Sequence, residues 1–190
     1  MNSKWADCKL SQIVEVASGQ GAPQLSDNFG KDGYPFVRAG SLDSLVKGAS
    51  EDTCEHVSAD VASRYRLRLF PQGTVLFAKS GMSATIGRVY QLRKPAYVVN
   101  HLAALIPTER CVPNYLKYWL QANSPSRLIQ DASYPSIRLS DISEVKIPLP
   151  PLDEQLRIAI ILDKAEAIRQ QRQKSMRLTE DFLRSVFLEM

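Results

Sequence analysis

Histidine and cysteine are scarce in this chain, with two His and three Cys among 190 residues. His56 and His101 lie far apart, and Cys8, Cys54 and Cys111 are odd in number and widely separated. That pattern supports no zinc-binding spacing and no disulfide framework, so the thiols read as buried or idle and no metal site is expected. Long apolar runs are missing too. Nothing approaches the roughly 18 to 20 residues of a membrane span, and the opening MNSKWADCKLSQ lacks the apolar centre of a signal peptide. A soluble cytoplasmic protein with no membrane association is the expectation. Wholesale disorder is excluded in turn by a 44% hydrophobic content, enough for a core in one domain of roughly 150 residues plus an appendage.

One sign of charge is absent from a long interval. No Asp or Glu occurs between Asp60 and Glu109, a stretch that holds Arg64, Arg66, Arg68, Lys79, Arg88, Arg93 and Lys94. Residues 1–152 carry 17 Lys+Arg against 13 Asp+Glu, and residues 153–190 carry seven of each, so the excess of +4 resides in the first part. An interval without carboxylates attracts phosphates without local repulsion. A solvated basic face without a ligand is the alternative.

Glycine and proline are absent from about Asp153 to Leu188, and the acidic pair Asp153 and Glu154 suits the positive end of a helix dipole. The expectation is a helix of about 36 residues, roughly 54 Å long at 1.5 Å per residue. Its apolar positions, Ile158, Ile161, Leu162, Ala165, Ile168, Met176, Phe182, Leu183, Val186 and Phe187, recur mostly every three or four residues, which implies a partner helix. The stripe thins at Arg169 and Arg172 and its heptad register shifts there. A turn near 172–176 that folds the segment into a hairpin stays open, although no turn residue marks it.

The first 150 residues read as short strands punctuated by Gly and Pro. Strands are expected at 12–18, 34–40, 74–79, 86–92, 96–100 and 143–149 from their β-branched and aromatic content. Helices are expected at 58–65, capped by Ser58, and at 113–123, opened by Pro113. This is an α+β pattern without a βαβ repeat, and it divides into a mixed domain at 1–150 and a helical region at 151–190. Pro148, Pro150 and Pro151 punctuate the boundary.

No catalytic constellation assembles. Glu144-Val145-Lys146 matches a metal-nuclease triplet, with Asp131 and Asp141 upstream, but such a triplet recurs by chance and reads as the polar side of a half-buried strand. ASGQGAP (17–23) has no βαβ setting for a methyl-donor cofactor, and LPPL (149–152) lacks the amide or carboxylate that a base methyltransferase needs. KSGMSAT is not a nucleophile elbow.

The loop AKSGMSATIG (78–87) has another character. Lys79, Ser80, Ser83 and Thr85, with two glycines that permit close backbone approach, suit phosphate and base-edge contacts; a plain hairpin connection is the alternative. RAGSLDS (38–44) is similar, with Arg38 able to fork onto phosphate or guanine beside Ser41. Asn100, His101, Tyr134 and Arg138 complete the candidate contacts. Arg64, Arg66 and Arg68 alternate, so on a strand they share one face and grip phosphate, whereas at a helix end they diverge.

Four segments now carry a resemblance. WADCKLSQIVEVASGQGAP, YPFVRAGSLDS, GTVLFAKSGMSATIGRV and SIRLSDISEVKIPLPPLDEQLRIAIILDKAEAIRQQR resemble, in order, the signatures of the specificity subunit of Type I restriction-modification systems. The junction IPLPPLDEQ running into a long helix is the most specific of them. The resemblance implies a globular target-recognition domain that reads one half of a split sequence in double-stranded DNA. It also implies a helix that pairs antiparallel with a second helix, spacing two such domains and docking modification (methyltransferase) subunits. A restriction (nuclease and translocase) subunit completes such a complex. S-adenosylmethionine, ATP and Mg are then expected on the partner subunits, and no cofactor on this non-catalytic chain. A full subunit holds two recognition domains, whereas each element occurs once here, so the chain resembles a half-subunit. A homodimer through the stripe Ile158, Ile161, Leu162, Ala165, Ile168, Met176, Phe182, Leu183 and Val186 follows. The alternative is a coiled-coil assembly or decoy module that binds modification subunits without reading DNA.

Overall fold

The computed structural model describes residues 5–188. In chain order the strands and helices are β1 (Asp7–Lys9), β2 (Val14–Ser18), β3 (Tyr34–Val37), α1 (Leu42–Val46), β4 (His56–Val57), α2 (Ala59–Arg64), β5 (Leu69–Phe70), β6 (Val75–Ala78), α3 (Met82–Ile86), β7 (Val89–Gln91), β8 (Ala96–Val98), β9 (Leu102–Pro107), α4 (Pro113–Ala122), α5 (Leu139–Glu144), β10 (Lys146–Pro148) and α6 (Leu152–Leu188). One antiparallel sheet has the order β2-β9-β6-β7, a second the order β4-β3-β8-β5, and β1 pairs with β10. Within the second sheet β3 and β8 run parallel. The mixed α+β architecture with a long terminal helix is therefore present.

The first sheet is buried on both faces, and the pleat sorts its side chains between two cores. Leu76, Ala78, Tyr90, Leu102 and Ala104 face the second sheet with Phe36, Val37, Val98 and Phe70. Val75, Phe77, Val89, Ala103 and Leu105 face α4, α5 and the β1–β10 ribbon, where Leu10, Leu116, Ile142 and Ile147 meet them. Double burial explains why LAALIP (102–107) escapes a reading based on alternation. As β9 it is an unbroken apolar run, although it pairs with both β2 and β6.

Other boundaries move for local reasons. The expected loop 78–87 contains α3, set between Gly81 (φ +72°) and Gly87 (φ +67°), and Ala84, 1% exposed, ties that helix to the core. The strand expected at 86–92 is confined to β7, and the one at 143–149 to β10, because Ser143 and Glu144 close α5. Ser58 caps α2, its hydroxyl accepting from the Val61 N–H, and Pro113 occupies the first turn of α4. α6 continues through 172–176 with no hairpin. Its stripe keeps one alternating spacing through Ile161, Ala165, Ile168, Arg172, Ser175, Thr179, Phe182 and Val186, so the chemistry is interrupted and the register is not.

α6 is joined to the domain by a polar bracket. Gln155, 1% exposed, accepts from the Val112 N–H at 2.9 Å and donates to the carbonyls of Arg110 and Pro150 at 3.1 and 2.9 Å. Two turns on, Asp163 accepts from Asn114 Nδ2 and the Tyr118 hydroxyl, each at 2.6 Å, with Lys117 Nζ at 3.5 Å. Ala159 is buried between them, and Ile158 packs into the domain core. Ile158 therefore leaves the set of free stripe positions, whereas Ile161, Leu162, Ala165, Ile168, Met176, Phe182, Leu183 and Val186 are exposed, as are Leu156 and Ile160.

Two outcomes follow from the bracket. Replacing Gln155 with Leu strands one N–H and two carbonyls, one of them buried, and should lower unfolding stability in urea by roughly 2–4 kcal/mol, whereas Leu156→Gln on the open face should change it by less than about 0.5 kcal/mol. Burial raises the Asp163 carboxyl, but hydrogen bonds from Tyr118 and Asn114 and the Lys117 charge outweigh it and hold the group below its ordinary value. A depressed carboxylate stabilises the fold above its unfolded pKa of about 3.9 and loses that contribution as pH falls through the lower folded value. The stability gap between the native chain and Asp163→Asn should therefore be wide at neutral pH and narrow in acid, measured by urea unfolding across pH.

Candidate nucleic-acid interface

Strand register brings the ends of four strands together. β3 and β8 run parallel with Val37 opposite Val98, so Arg38 and Asn100 leave the second sheet at the same end, and the Val99 N–H donates to the Val37 carbonyl at 3.0 Å. β6 ends where β9 begins, with Ala78 opposite Leu102, and the Lys79 N–H donates to the His101 carbonyl at 2.9 Å. β2 ends at the same place, where the Ser18 hydroxyl donates to the Asn100 carbonyl at 3.1 Å.

A segment far along the chain closes the cluster. Ser80 and Ser136 form an antiparallel bridge. The Ile137 N–H donates to the Lys79 carbonyl at 2.7 Å, and the Gly81 N–H to the Pro135 carbonyl at 2.9 Å. Ser80 Oγ lies 2.8 Å from His101 Nδ1. Lys79, Ser80, Asn100, His101, Tyr134 and Arg138 thus share one rim, with Arg38 and Ser41 on its β3 side.

Ion pairing separates the candidate cations. Arg38 Nε donates to Glu55 at 2.8 Å, and its guanidinium lies 4.9 Å from the Phe29 ring centre and 5.3 Å from that of Phe36. It is stacked on both rings and paired with one carboxylate. Arg68 makes a bidentate pair with Glu15 and lies over Phe70; its hydrogen bonds hold the Glu15 carboxyl below the usual range. Lys79 and Arg138 have no ion pair among the described residues, and they lie on the same side of the Ser80–Ser136 bridge.

Arg64, Arg66 and Arg68 do not share a strand face. Arg64 ends α2, Arg66 sits at φ +52° in the turn after it, and Arg68 precedes β5. Ser83 is half-buried within α3, and the exposed Thr85 hydroxyl donates to the helix's own Met82 carbonyl at 2.7 Å. Sequence reasoning missed Met82 and Ile86, because α3 was unseen, and Arg127. That exposed cation occupies the turn Pro125–Leu128 beside Gly87, where an added Cβ would meet Ser124 Oγ at 2.0 Å.

The other reactive groups are engaged elsewhere. Glu144 pairs with Lys9 at 2.6 Å, and among the described residues no group of three or more His, Cys, Asp or Glu is placed to hold a metal ion. Burial pushes the Cys54 thiol up and the Cys111 thiol up to about 12, so both are protonated at neutral pH. No helix of the described residues is long and apolar enough to cross a membrane.

A mixed domain with its cationic rim at the strand ends and a helical arm docked by a glutamine after a proline elbow defines the class. The profile of the family described as the Type I restriction modification DNA specificity domain matches residues 2–179, and the chain belongs to that family. A specificity subunit of the type I restriction enzyme MjaIX of Methanocaldococcus jannaschii is 28% identical over 150 residues, 77% of this chain and 34% of that protein. The HsdS subunit from Thermoanaerobacter tengcongensis has the same fold, with TM-score 0.65 and 25% identity over 90% of this chain and 40% of that one. A chain from a structure concerned with complex assembly and conformational transition of the type I R-M system superposes with TM-score 0.66 at 23% identity, over 93% of this chain and 42% of that one. The chain therefore spans about two fifths or less of the length of these relatives.

Proposed function

We propose that this chain is a non-catalytic DNA-reading specificity subunit that recognises one half of a bipartite target in double-stranded DNA through the rim around Lys79. The observation that carries the reading is the gathering of five separate segments, near residues 18, 38, 79, 100 and 136, on one rim where Lys79 and Arg138 are left without carboxylate partners. Phosphate contacts from such cations position a protein on a duplex, and neighbouring hydroxyl, amide and imidazole groups offer base-edge contacts.

The exposed stripe of α6 supports a second role. Ile161, Ala165, Ile168, Phe182 and Val186 lie open on one continuous spacing, the arrangement that buries against another helix. In this reading α6 pairs with a second helix, from another copy in a homodimer, and docks the modification subunit. The restriction subunit joins through that assembly, and S-adenosylmethionine, ATP and Mg act on those partners. The same stripe motivates the competing reading, an assembly or decoy module that binds modification subunits and reads no DNA.

Charge reversal separates the two. Lys79→Glu with Arg138→Glu should weaken duplex binding at least tenfold and reduce the slope of log affinity against log salt by about 2, measured by fluorescence anisotropy over a salt series. Light scattering should show unchanged molar mass. Reversal at Arg68, already paired with Glu15, should do less. Duplex binding that is unaltered by the double reversal would place the DNA contact outside this rim, and a native chain that binds no duplex while docking the modification subunit would establish the decoy reading instead.

A further inference from the structure

The two most exposed large apolar side chains among the described residues are Tyr134 at 79% and Met82 at 73%, and each is next in the chain to one member of the bonded pair Gly81 and Pro135. The antiparallel Ser80–Ser136 bridge continues to the Gly81 N–H to Pro135 carbonyl bond; Met82 follows Gly81 as the first residue of α3, and Tyr134 precedes Pro135. Lys79 and Arg138 lie together at the other end of the same paired segment.

The fold does not require these side chains where they are. α3 is anchored by Ala84, 1% exposed, while Met82 and Ile86, one turn apart on the opposite face, point to solvent. Apolar surface left in water on a cationic rim is unfavourable in the free protein, so a partner with both apolar and anionic groups is indicated. Duplex DNA offers that combination in its major groove, where the thymine 5-methyl is the apolar group among the base edges and phosphates line the walls.

We propose that Met82 and Tyr134 form a methyl-reading pair that selects an A·T pair in the half-site by contact with the thymine 5-methyl group. The inference rests on the DNA-reading role of the rim and adds to it a chemical criterion for one position. Lys79 and Arg138 hold the flanking phosphates, and the apolar pair supplies discrimination that charge does not.

The test uses the full chain and a randomised duplex library. Duplexes enriched by the native protein are re-measured by anisotropy with each thymine replaced in turn by uracil, which removes only the methyl group. At one position the native chain should lose about fourfold in affinity, the factor expected from burying one methyl-sized group. Met82→Ala and Tyr134→Ala should bind the thymine duplex more weakly and show no penalty for uracil there, with unaltered thermal unfolding.

Enriched duplexes whose uracil forms bind the native chain as well as the thymine forms overturn the pair and leave the DNA-reading role standing. A Met82→Ala chain that keeps the full uracil penalty also overturns it. A native chain that enriches no duplex overturns the DNA-reading role and the pair together.

Discussion

The peptide unit at Lys79 is gripped from both sides. Its N–H donates to the His101 carbonyl and its own carbonyl accepts from the Ile137 N–H, at 2.9 and 2.7 Å. These two bonds extend β6 past its last sheet residue and fasten it to the turn before β9 and to a segment more than fifty residues further along the chain. The rim depends on that clamp, because loops closed over long chain distances are costly to order unless the backbone supplies partners. Gly81, at φ +72°, then frees the chain to leave the strand and form α3 directly beyond the clamp.

A second fastening sets the direction of the arm. Buried Gln155 satisfies one N–H and two carbonyls where the chain turns through Pro150 and Pro151, and Asp163 repeats the attachment two helical turns later. Two attachments separated along an axis restrain orientation as well as position. The first turns of α6 are therefore part of the domain, and the free stripe begins at about Ile161. For a protein proposed to measure the gap between two half-sites, a fixed launch angle matters as much as helix length.

Legibility in the sequence followed the range of the interactions. The long helix, the Ser58 cap, the Pro113 start and most strands were readable because each depends on neighbours a few residues away. β9 was not, since a strand buried on both faces shows no alternation, and α3 was hidden because five residues between two glycines look like a loop. The ion pairs of Arg38 and Arg68 were illegible for a related reason: their partners Glu55 and Glu15 lie 17 and 53 residues away, and only the fold brings carboxylate to guanidinium. Lys79, His101, Tyr134 and Arg138 were separate candidates from loop chemistry, and their clustering was illegible because the bonds that join them lie between distant segments. Gln155, Ala159 and Asp163, which dock the arm, carry no sequence signal of their own, because their partners lie in other elements.

Backbone hydrogen exchange of the chain with and without duplex DNA, at low salt, addresses the rim most directly. The account predicts that DNA slows exchange in the segments around 79–86, 99–101 and 134–138 together, because the backbone clamp makes them one surface, and leaves the distal half of α6 unchanged. Protection confined to α6, or protection of only one of those segments, would contradict it.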